Sequence, residues 1–176
     1  QKDRKHGVTE DIWLNEARAD YAPTILGYDA VFEGSNLQKR TKDFLTNPTD
    51  SLTEWQERKY DYATANIFTQ YLVDHYGINM LSDSLGLKST GITSINEMLA
   101  KNGYKENFSQ IFTNWTIASI INDCSLSIAY CYLNQNIKNT RISPTLNFLP
   151  LTGNSSLSVT NVTKNKPRRK TKTAHI

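Results

Sequence analysis

No run of this sequence approaches the roughly 18 consecutive apolar residues of a membrane helix, so no membrane span is expected. Acidic residues are missing altogether after Asp123. Helical periodicity fades at the same place, which puts a boundary nearby. Basic residues are concentrated beyond it: Lys164, Lys166, Arg168, Arg169, Lys170 and Lys172 are six of the 20 in the chain, and without them fourteen basic residues face 17 acidic ones. The body is mildly acidic, and nothing in it argues for nucleic acid. Cysteine is reduced to Cys124 and Cys131, seven apart in a polar stretch. They either close a small disulfide loop in an exported protein or remain two free thiols in a cytosolic one. No signal peptide opens the sequence, which begins at Gln1 without Met and reads as a piece cut from something longer.

What is present is ordinary for one globular domain: 176 residues, 38% hydrophobic and 21% charged. The pattern is helical. Thr9 followed by Glu10 and Asp11 predicts a helix over residues 10–22, a hydroxyl cap with acids in the first turn, stopped by Pro23. Ser35 caps a second over 35–45, ended by Asn47-Pro48. The longest runs over 55–76, where Tyr60, Ala63, Ile67 and Tyr71, with Ala65, Phe68 and Leu72, recur at three and four, and Gly77 sits at a C-cap. A short helix over 79–85 follows. Ser94 with Glu97, and Asn107 with Gln110, read as capping boxes for helices over 94–102 and 107–122. Trp13 and Trp115 read as core packing.

The fold class is therefore mainly α, about six helices in residues 1–123. Residues 124–163 read as an irregular linker and the start of a β-module, with Leu157, Val159 and Asn161 alternating against Ser158 and Thr160. Residues 164–176 have the composition of a disordered basic tail, with polyanion binding as its functional alternative. Sequons stand at Asn107, Asn114, Asn154 and Asn161.

The chemistry concentrates in Trp13-Leu14-Asn15-Glu16, with Asp20 and Ala22. Residues four apart share one helix face, so Glu16 and Asp20 point the same way. This stretch, followed by Asp61-Tyr62-Ala63 through Phe68, Tyr71-Leu72 and Val73-Asp74-His75-Tyr76-Gly77, resembles the gluzincin metallopeptidases, the thermolysin-like and aminopeptidase-like zinc enzymes, over about two-thirds of the chain. The resemblance implies the C-terminal helical subdomain of a zincin-like fold, a hydrolase acting on a peptide or protein substrate, zinc in the intact parent, and a secreted or cell-surface setting. It makes Glu16 the third zinc ligand and Asp20 a supporting acid that holds a ligand histidine. Asn15 would fix the helix at the cleft, and Tyr60 or Tyr62 would stabilise the oxyanion.

One departure limits the activity expected. The family's other two ligands and general base lie in a His-Glu-x-x-His helix, which is absent here. The histidines are His6, His75 and His175. Glu16 alone does not make a catalytic site, so this chain is expected to hold zinc poorly and to be inactive. His6 with Glu10 and Glu16 is the candidate for an improvised metal site, His6 and Glu10 having the spacing of one helix face, although Gly7 weakens helix there and a solvated histidine is the plainer reading. His75, at a helix end, reads as a cap. The competing reading is a non-catalytic helical module that binds a peptide or partner protein and shows an exposed apolar patch.

Overall fold

The structure, a computed structural model, describes residues 6–142. Among them are six α-helices and no strand: α1 (Ile12–Ile25), α2 (Asn36–Thr46), α3 (Lys59–Tyr76), α4 (Asn79–Ser82), α5 (Gly91–Lys101) and α6 (Phe108–Ile121). Two 3-10 turns, Asp83–Gly86 and Ile128–Tyr130, complete the order. None of these helices is long and apolar enough to cross a membrane. The expected β-module over 146–162 and the tail over 164–176, with His175, lie outside the described residues.

α3 is the core helix, as its periodicity predicts. Every residue from Ala63 to Leu72 is buried, because α1 and α2 pack along it and α6 closes another side. An aromatic cluster fills the junction. Phe68 meets Trp13, Phe108 and Trp115 with ring centroids 6.4, 5.8 and 5.3 Å apart, the edge-on and tilted geometries that ring quadrupoles favour. Trp13 and Trp115 are 2% and 4% exposed, so both are core residues.

Two caps occur where the sequence puts them. The Ser35 hydroxyl accepts from the Gln38 amide at 3.0 Å. Asn107 and Gln110 exchange side-chain to backbone bonds of 3.0 and 2.9 Å at the start of α6. Four expectations need correction. α1 does not stop at Pro23 but carries it inside and ends at Ile25. Proline forfeits one bond, to the Ala19 carbonyl, and the end is secured beyond it: Gly27, at φ +79, lets its own amide bond the Thr24 carbonyl (3.2 Å) and that of Tyr28 the Pro23 carbonyl (2.9 Å). That double closure is a Schellman motif. Secondly, Glu10 lies before α1, not in its first turn, because its carboxylate is drawn to Arg18 at 2.8 Å and to the Gly91 amide at 2.8 Å. Thirdly, α3 begins at Lys59, leaving Trp55 in the preceding loop. Fourthly, α5 begins at Gly91, and Ser94 is buried inside it with its hydroxyl bonded to the Gly91 carbonyl.

Cys124 and Cys131 are joined in a disulfide, the small closed loop that the sequence allows. Residues beyond it pack back onto the helices. The Asp74 carboxylate accepts from the Leu133 and Asn134 amides at 3.1 and 2.8 Å, and Tyr132 is buried with its hydroxyl between Trp115 Nε1 (3.0 Å) and Ser119 Oγ (2.8 Å).

Candidate functional site

α1 turns Trp13, Leu14, Ala17 and Tyr21 inward and leaves Ile12, Asn15 and Ala19 exposed, with Glu16 half-buried between them. The two carboxylates of interest stand one turn apart on this helix and are held very differently. Asp20 is saturated. Arg40 of α2 meets it with a bidentate fork, Nη2 to Oδ1 at 2.6 Å and Nε to Oδ2 at 2.8 Å. Asn66 of α3 donates its amide to Oδ2 at 2.9 Å and to the Asp20 carbonyl at 3.0 Å. Asn36 adds a 3.4 Å contact to Oδ1. Charge-assisted, two-point bonds of this kind are the strong ones, and the pair is only 12% and 11% exposed. Asp20 thus pins α1 to both neighbouring helices.

Glu16 has no hydrogen bond or ion pair with any described residue. Neither has the side chain of Asn15, which is exposed. Of the two tyrosines, Tyr62 joins the Asp20 network: the Arg40 guanidinium lies 5.0 Å over its ring, and Trp55 packs edge-on to it at 4.8 Å. Tyr60 stands apart under the Lys59 ammonium at 4.8 Å, and Lys59 pairs with Asp43 at 3.2 Å. The structure therefore assembles Asp20, Arg40, Asn66 and Tyr62 and leaves Tyr60 outside.

His6 does not join Glu10. Its Nε2 bonds the Gly86 carbonyl at 2.9 Å, while Glu10 answers Arg18 and Gly91. His75 Nε2 bonds the Cys131 carbonyl at 3.0 Å, holding the disulfide loop against α3. Among the described residues no three His, Cys, Asp or Glu side chains are grouped to hold a metal ion.

Arg40, Asn66 and Gln70 are absent from the sequence-based site. Arg40 is hidden among Lys39, Lys42 and other surface-like residues of α2. Asn66, Gln70 and Asp74 carry a usable signal, polar residues at every fourth position along one face of the core helix. Gln70 takes part in a chain of bonds: Asn134 donates to its Oε1 (3.0 Å), its Nε2 to Thr24 Oγ1 (2.8 Å), and Thr24 to Asp29 Oδ2 (2.7 Å). Asp29 is buried and accepts from the Leu37 amide at 3.1 Å as well. Beside this chain, burial pushes the Tyr21 hydroxyl up to about 12, helped by the charges of Asp74 and Asp29, and burial raises Asp74 too.

Set against known protein families, curated proteins and solved structures, the chain matches none. Its chemistry is read from the site alone. Glu16 is a half-buried carboxylate with no partner among the described residues, on a helix that Asp20 fixes one turn away.

Proposed function

We propose that the chain carries the third-ligand helix of a gluzincin-type zinc peptidase, with Glu16 binding the metal through a carboxylate oxygen and Asp20 supporting a ligand histidine. One observation carries the reading: Asp20 is fixed by donors from two other helices while Glu16, one turn earlier, keeps its carboxylate free among the described residues. A carboxylate accepts about four donors, two per oxygen. Oδ2 of Asp20 is filled by Arg40 and Asn66, whereas Oδ1 has Arg40 and only the 3.4 Å contact with Asn36. Oδ1, the less tightly bonded of the two, is the oxygen proposed to take an imidazole N–H. Tyr62, tied to Asp20 through Arg40, is favoured over Tyr60 as the oxyanion residue. Bound zinc supplies a Lewis acid that activates water against a peptide bond. The other ligands and the base would come from a His-Glu-x-x-His helix outside this sequence, so the chain as it stands is proposed to be inactive. The disulfide supports an oxidising, extracytoplasmic setting.

The test is a longer product of the same reading frame, including the residues before Gln1. The reading expects a His-Glu-x-x-His segment there, one equivalent of zinc in the purified protein, and its loss in Glu16→Gln with helical circular dichroism unchanged. Absence of the segment, or equal zinc in the variant, would overturn it.

A second reading, a non-catalytic docking module, is favoured by the end of α1 and the loop after it, where Ile25, Leu26, Tyr28 and Val31 are 58%, 67%, 74% and 72% exposed. It expects no zinc in any longer chain, and partner binding lost when Leu26 and Tyr28 become serine.

A further inference from the structure

Residues 21–32 contain a single charged group, Asp29, and it is buried. Its carboxylate accepts from the Thr24 hydroxyl at 2.7 Å and the Leu37 amide at 3.1 Å, and its carbonyl from the Asn136 side chain at 2.7 Å. Around that anchor the stretch bonds to itself: the Ala30 amide reaches the Gly27 carbonyl at 3.1 Å, and the Ser35 hydroxyl the Phe32 carbonyl at 2.7 Å. The loop is fixed from within, yet Ile25, Leu26, Tyr28 and Val31 each stand more than half exposed. Large apolar side chains crowded into so short a stretch form a patch, unlike the scattered singles of an ordinary surface. A patch whose backbone is already ordered loses little freedom on docking.

The same loop runs into a cleft lined by cations. Gly34, at its end, borders a cavity of about 430 Å³ together with Lys39 and Lys42 of α2, Lys59 of α3, and Asp43. Lys59 occupies Asp43 at 3.2 Å. Lys39 and Lys42 are exposed and make no hydrogen bond or ion pair with any described residue. Glu33, the exposed acid of the loop, accepts from the Gln38 side chain at 2.6 Å. We propose that this surface docks on an anionic lipid bilayer, with Ile25, Leu26, Tyr28 and Val31 entering the boundary between headgroups and acyl chains while Lys39 and Lys42 meet lipid phosphates. The lysines favour lipid over a protein partner, because lysine is depleted where proteins bury a contact, whereas apolar insertion beside a basic patch is the pairing that anchors a chain stably to an anionic membrane. Tyr28 suits the same place, its ring apolar and its hydroxyl at headgroup level. The chain lies on the bilayer in this arrangement, and no described helix is long and apolar enough to cross it. The proposal is independent of the zinc reading.

Sedimentation of the full chain with lipid vesicles, in the absence of zinc, is the test. Vesicles of phosphatidylcholine mixed with phosphatidylglycerol are expected to carry the protein down, and pure phosphatidylcholine to carry much less. On the mixed vesicles Leu26→Ser/Tyr28→Ser is expected to bind at least about tenfold more weakly, because apolar area is withheld from the lipid. Lys39→Gln and Lys42→Gln are each expected to weaken binding by about fivefold, an effect that high salt removes. The basic residues of 164–176 attract the same vesicles, so insertion of the loop is read separately. Tyr28→Trp is expected to shift its emission to the blue on mixed vesicles and to be quenched by brominated acyl chains. That quenching decides alone if Leu26→Ser/Tyr28→Ser alters the circular dichroism. Binding that leaves Tyr28→Trp unquenched, or that persists undiminished in a folded Leu26→Ser/Tyr28→Ser variant, belongs to the basic tail and overturns the proposal. Failure to bind mixed vesicles overturns it too, including the case in which the loop instead joins two copies of the chain or binds a protein. None of these variants touches Glu16, so the zinc reading stands or falls by its own assay.

Discussion

At the scale of single residues, the two carboxylates of α1 separate what stabilises the fold from what is left over for function. Arg40 and Asp20 are both nearly buried, and removing one partner of such a pair strands the other's charge, a loss of about 3 kcal/mol where both are well desolvated. Arg40→Met, which keeps the aliphatic stem over Tyr62, is therefore expected to cost about 3 kcal/mol in urea denaturation, much of it recovered in the Arg40→Met/Asp20→Asn double variant. Glu16→Gln has no described bond to lose and is expected to stay within about 0.5 kcal/mol of the unmodified chain. A Glu16 variant as destabilised as Arg40→Met would mean that Glu16 holds the fold together, which would remove the contrast on which the proposed ligand role depends.

At the scale of elements, the ends of helices show which physics is local. The caps at Ser35 and Asn107 are made by side chains reaching three residues along the chain, so they are legible in the sequence. Glu10 and Ser94 look like equally good N-terminal signals, yet one is claimed by Arg18 and Gly91, and the other turns its hydroxyl to a carbonyl within α5. Competition from tertiary partners does not show in a short window. The same holds for Asp20: its spacing from Glu16 is visible in the sequence, but Arg40 and Asn66 reach it only because three helices meet there. Pro23 misleads for the converse reason, since Gly27, four residues beyond it, supplies the helix end. Gly27 is exposed and nothing lies within 4 Å of where a Cβ would stand. Its φ of +79 is then the sole obstacle to a side chain, and Gly27→Ala is expected to lower stability by about 1 kcal/mol. Differential scanning calorimetry measures this, and an unchanged Tm would show that the Schellman closure contributes nothing to α1.

At the scale of the whole molecule, the question is what completes the core around α3. The helices up to α6 leave the far side of Trp115 and the polar edge of α3 to residues 124–142. Tyr132 and Ile137 are 2% and 0% exposed, and burying a side chain of that size contributes about 1.5–3 kcal/mol. The segment is tied down at several points: Tyr71 donates to the Ala129 carbonyl at 2.7 Å, Asn134 to Gln70 at 3.0 Å, Asn136 to the Asp29 carbonyl at 2.7 Å, and Asn122 to the Thr140 carbonyl at 2.6 Å. The disulfide adds about 2.5 kcal/mol by restricting the unfolded chain across so short a loop. A chain ending at Asp123 would expose Trp115, strand the Gln70 and Asp74 acceptors, and lose several kcal/mol from a domain whose total stability is about 5–15 kcal/mol. Such a chain is expected to lose its cooperative thermal transition and bind a hydrophobic dye, while one ending at Ile142 keeps the transition of the full protein. If both truncations melt alike, the helices before residue 124 form a sufficient core by themselves, and the contacts of residues 124–142 decorate a fold that stands without them.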